Sequence, residues 1–116
     1  MKSHAAVAAH LLENEELVTA VIRDVETAPI SDAEKALLRF MEKVNHESPD
    51  IQRSDIEALY AHGWTDEALY DAITVCALFN FYNRWIDATG VHAMSDEAHR
   101  AAAPRMAPGY IRTPPK

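Results

Sequence analysis

Apolar residues along this chain recur at helical spacing in every segment long enough to judge. Val7 and Leu11 fall on one face of a first helix read over Ser3–Glu13, with Ala8 and Leu12 beside them. Leu17, Val18, Val21, Ile22 and Val25 follow i, i+1, i+4, i+5 and i+8 and predict a second helix over Glu15–Glu26. Asn14 caps it, and Pro29 lies beyond its end. Ser31-Asp-Ala-Glu34 spells a capping box, so a third helix is expected over Asp32–Asn45, burying Ala36, Leu37, Phe40, Met41 and Val44. Ser54 is placed to cap a short helix over Asp55–His62 that Gly63 closes. Thr65 caps the longest helix, Asp66–Thr89, which Gly90 closes, and Ser95 caps a last one over Asp96–Met106. The tail PGYIRTPPK is expected to be extended. No segment alternates with period two, so the fold class is all-α: a bundle of about six helices forming one domain over residues 1–107, with a tail over 108–116.

Composition supports that architecture. The chain has 116 residues, 48% of them hydrophobic, and only three glycines, which favours helices over tight-turned sheet. Eleven Lys and Arg against 18 Asp and Glu give a net charge of −7, a surface that repels phosphate backbones. The segment from Ser54 to Thr74 has a helix-turn-helix outline. Its second helix opens on Thr65, Asp66 and Glu67, where a reader of DNA needs basic or amide side chains. No nucleic-acid partner is therefore expected. Nor is a membrane partner, because no apolar run is long enough to span a bilayer. The lone cysteine, Cys76, excludes an internal disulfide, and the chain reads as cytoplasmic.

Two stretches bear on chemistry. From Ala72 to Tyr82 the longest helix is apolar nearly all round, which predicts burial on every side. A domain this small offers little room for such a helix at its own centre, so a partner subunit, and hence a homo-oligomer, is expected. Along the same helix Asn80, Asn83, Arg84 and Asp87 recur at i, i+3, i+4 and i+7. They can be a structural network in which Arg84 pairs with Asp87, or the lining of a small polar pocket. Cys76 lies in the middle of the apolar run and reads as a packing residue rather than a nucleophile. Six histidines show no metal-ligating spacing, and no metal or cofactor is expected. The acidic pairs at 15–16, 66–67 and 96–97 all fall in first turns, where the helix dipole accounts for them.

The stretch FNFYNRWIDATGV, with SHAA, NEELV, TAPIS and ALLRF ahead of it in that order, resembles the AhpD-like or carboxymuconolactone decarboxylase family, peroxidase-related members in particular. The likeness covers almost the whole chain. It implies a thiol-dependent antioxidant oxidoreductase, with a small hydroperoxide as substrate and a thiol reductant as partner. In that family the redox site is Cys-x-x-Cys-x-x-x-His at a helix start, where the helix end favours a thiolate, the second cysteine resolves the oxidised first, and the histidine relays a proton. The resemblance places the motif's histidine at His4 and its second cysteine immediately before Met1. Met1 is then expected to be an internal methionine of a longer protein, and the chain as it stands to be inert as a peroxidase. His4 can equally be a solvent-facing histidine. Two alternatives stay open: a lactone decarboxylase with a pocket of His4, Asn83 and Arg84, and a non-catalytic module for oligomerisation and ligand binding.

Overall fold

Helices begin in this chain where a side chain can satisfy the orphan amides of a first turn, and most of those signals act as read. The computed structural model describes residues 2–111. Among them are six α-helices: α1 (Lys2–Leu12), α2 (Glu15–Arg23), α3 (Asp32–Glu47), α4 (Arg53–Ala61), α5 (Asp66–Thr89) and α6 (Asp96–Met106). Short 3-10 helices at Ser48–Asp50 and Ala107–Tyr110 complete the described residues, and none of these forms a strand. The all-α expectation therefore holds. At α3 the box closes in both directions: Glu34 N donates to Ser31 Oγ at 3.2 Å, and Ser31 N donates to the Glu34 carboxylate at 2.8 Å. Ser31 Oγ also donates to that carboxylate at 2.6 Å, and this bond, then the one from Ser31 N, hold the Glu34 carboxyl below its ordinary range.

Several boundaries differ from the periodicity, α3 for instance running on to Glu47 rather than Asn45. Helix α2 stops at Arg23 rather than Glu26 because Asp24 turns extended, with φ −163°, and its carboxylate accepts from Glu26 N at 3.0 Å and Thr27 Oγ1 at 2.9 Å. That local turn competes successfully with continued helix. Helix α4 begins two residues earlier than expected, at Arg53 rather than Asp55. Its N-cap is Gln52 instead of Ser54, because Asp55 reaches back to accept from Gln52 N at 2.8 Å. Beyond α6 the chain keeps turning through Tyr110 in 3-10 geometry where an extended tail was expected. Residues 112–116 of that tail lie outside the described residues.

Two compact units emerge: one from the chain's two ends, up to Pro29 and from His92 onward, and one from Ile30–Val91. In the second unit α3 packs against α4 and α5. Ala36, Phe40, Leu59 and Leu69 form its buried centre, with Met41, Ile56, Trp64 and Ile73 around them. Trp64 fastens the α4–α5 turn to α3 by donating its indole N–H to the Ala33 carbonyl at 2.8 Å. In the first unit α1 packs against α6 and α2. The contact closes through small residues, with Val7, Ala103 and Ala107 buried and Ala6 and Met106 beside them. Ion pairs Lys2–Asp96 at 2.8 Å and Arg100–Glu15 at 3.3 Å lie on its surface. Exposed as they are, they add little stability.

One pair in the second unit is more shielded. Lys43 Nζ meets Asp55 Oδ2 at 2.7 Å, joining α3 to α4. The bond from Gln52 N, then the Lys43 ammonium, hold the Asp55 carboxyl below its usual value. A depressed carboxyl contributes stability that is present above its unfolded pKa and is lost as pH falls through the folded one. Urea midpoints should therefore drop as pH falls from about 5 to about 2. In Asp55→Asn the drop should be shallower, and equal slopes would show that Asp55 makes no contribution.

Candidate functional site

The chemistry-bearing residues named by the sequence fall into both units, and each is described within its own. His4 stands in the first turn of α1. Its Nδ1 lies 3.2 Å from Ser3 Oγ, and its ring meets Tyr110 edge-on with centroids 6.0 Å apart. Partial burial pushes its pKa down. At neutral pH the imidazole is therefore uncharged, with one nitrogen able to accept a proton and the other able to donate one.

The polar stripe lies on α5 in the second unit. Arg84 Nη1 donates to Asn80 Oδ1 at 2.8 Å and to the Asn80 carbonyl at 3.1 Å. Asn80 Nδ2 in turn donates to the Cys76 carbonyl at 3.1 Å and approaches Cys76 Sγ at 3.7 Å. The result is a ladder running one turn at a time along a single helix, Cys76 to Asn80 to Arg84. It stands in place of the Arg84–Asp87 pair of the network reading, because the guanidinium folds back along the helix toward Asn80. Asn83, Arg84 and Asp87 are exposed and Asn80 half-buried. Burial on every side is likewise not what this chain shows by itself: α5 is covered where it meets α3 and open on its outer face.

Cys76 is half-buried on the covered side of α5, its thiol directed at the Met41 carbonyl 3.9 Å away. It borders a shallow apolar depression with Met41, Ala72 and Val75. Among the described residues, no group of three or more His, Cys, Asp or Glu side chains is placed to hold a metal ion, and no helix is long and apolar enough to cross a membrane.

One feature of the first unit has no counterpart in the sequence pattern. A groove of about 580 Å³ runs between α1, α2 and α6, with Ala5, Ala9 and Val18 among its apolar lining and His10, His99 and Arg100 among its polar lining. His99 Nδ1 is buried without a hydrogen-bond partner, an uncommon state for a ring nitrogen. The only signal in the sequence is the alanine content of α1 and α6, which lets two helices approach closely and leaves room at the rim.

Comparison of the chain with protein-family models, with curated proteins and with solved structures finds no match.

Proposed function

We propose that this chain is the helical scaffold of an alkylhydroperoxidase-like thiol peroxidase, that His4 is its proton-relay residue, and that the 116-residue chain alone does not turn over hydroperoxides. The observation that carries the reading is His4: an imidazole in the first turn of a helix, kept neutral at physiological pH by partial burial. A thiolate placed about two turns ahead of it, at the motif's first cysteine, would attack the distal peroxide oxygen and break the O–O bond, leaving a sulfenic acid. The departing alkoxide takes a proton that the imidazole can relay. A second thiol then forms the disulfide and releases water, and an external dithiol restores the pair. Cys76 cannot run this cycle by itself, since it is the chain's one thiol and has no resolving partner.

The lactone-decarboxylase alternative requires Arg84 to hold a substrate carboxylate. Here its guanidinium is engaged by Asn80, which is why the thiol reading is put forward first.

The test is an assay with an alkyl hydroperoxide and a dithiol reductant. The 116-residue chain should match the reagent blank. A chain extended so that Cys-x-x-Cys directly precedes residue 1 should turn over, and His4→Asn in that background should cut the rate by about 10²-fold or more, the usual effect of removing a general acid–base group. Turnover by the short chain that disappears in Cys76→Ser, or an inert extended chain, overturns the reading.

A further inference from the structure

Beside the histidine proposed as the relay lies a residue from the far end of the chain. Tyr110 meets the His4 ring edge-on, the planes at 72° and the centroids 6.0 Å apart, an arrangement that aromatic pairs favour. Both residues belong to the unit built from the chain's two ends. The turn that brings them together is the 3-10 helix Ala107–Tyr110, which follows α6 directly and packs on both α6 and α1. Ala107 anchors it: 4% exposed, it shares a buried cluster with Val7, one turn further along α1 than His4. Pro108 fixes its own φ, and Ile111 N donates to the Pro108 carbonyl at 3.3 Å, closing the turn around Tyr110. An anchored turn therefore delivers the tyrosine to α1.

A proton-transferring side chain works at full rate only when packing and hydrogen bonds hold it in the productive rotamer. Ser3 Oγ lies 3.2 Å from His4 Nδ1, but the two are neighbours on the first turn of α1, so that contact ties the ring to nothing beyond the turn. Tyr110 supplies a contact from another element. Its ring also covers part of the imidazole, in keeping with the burial that is the larger cause of the lowered His4 pKa.

We infer that Tyr110 is a positioning residue for His4: the carboxyl-terminal turn presents its ring so that the imidazole is held in one orientation and shielded from water. The inference rests on the relay role proposed for His4. The contact is one between rings, so the role requires the aromatic ring and not the hydroxyl.

Tyr110 is 52% exposed, so its loss should leave the fold intact, read as unchanged far-UV circular dichroism. In the 116-residue chain, Tyr110→Ala should move the imidazole proton resonances of His4 alone among the six histidines, and Tyr110→Phe should leave them near their parent positions. In the chain extended by Cys-x-x-Cys, Tyr110→Ala should lower kcat by about tenfold at unchanged KM, part of the loss expected for His4→Asn, and Tyr110→Phe should keep the parent rate. Added to His4→Asn, Tyr110→Ala should cost nothing further, because it acts only through the imidazole. His4 resonances that ignore Tyr110→Ala, an active extended chain whose kcat does not fall in that variant, a Tyr110→Phe variant as slow as Tyr110→Ala, or a second tenfold loss on top of His4→Asn would each overturn the inference. An inert extended chain that keeps Tyr110 overturns the relay reading instead, and the inference falls with it.

Discussion

Phe40→Ala is expected to destabilise the Ile30–Val91 unit by about 3–5 kcal/mol, the usual cost of emptying a buried aromatic site. Phe40 sits on the inner face of α3, 5% exposed, in a buried centre that it shares with Ala36, Leu59 and Leu69. Removing the ring both forfeits its transfer free energy and leaves a void that three packed helices cannot close without shifting one of them. A small domain has only about 5–15 kcal/mol of net stability, so the loss is a large share of the whole. The chain's two tryptophans make the measurement local. Trp64 is packed against this core and Trp85 is exposed. In a Trp85→Phe background, urea unfolding followed by Trp64 emission should move to markedly lower urea in Phe40→Ala. A shift smaller than that of Phe40→Leu would mean that the ring is not central to the packing.

What the sequence disclosed follows from how local each determinant is. Helix existence was legible because caps and apolar spacing act within one or two turns. Ser31 with Glu34, Thr65 and Ser95 all cap as read, their oxygens accepting from Glu34 N, Ala68 N and Ala98 N. Boundaries differ where a local side-chain bond competes with the helix. Asp24 has two acceptor oxygens that can fold onto the two residues after next, which ends α2 early, and Asp55 has a cap to make three residues back. The partner of Arg84 is open in the sequence for a different reason. Two residues, Asn80 at i−4 and Asp87 at i+3, were both within its reach, and spacing alone does not choose between them. Exposure of α5 was legible only as a conflict between a wholly apolar helix and a small domain. The division into two units was not legible, because Pro29 and Gly90 beside its boundaries read only as the ends of helices and no longer linker sets the units apart. The groove between α1, α2 and α6 depends on three helices meeting, and no single segment encodes it.

Ala103→Leu should cost about 1–3 kcal/mol in the unit built from the chain's ends, the range for forcing extra carbons into a packed site. Ala103 is 2% exposed and shares the α1–α6 contact with Val7, which is 1% exposed. The helices approach through these small side chains, so three added carbons have no void to enter and must push α6 away from α1 or leave a preferred rotamer. Leu and Ala have nearly equal helix propensity, which removes the intrinsic term from the comparison. Ala101→Leu, on the exposed side of the same helix, is therefore a matched control and should leave the urea midpoint almost unchanged. Far-UV circular dichroism of both variants reads the difference directly. If the two midpoints coincide, α1 and α6 do not meet through Ala103, and the packing described for that unit is wrong.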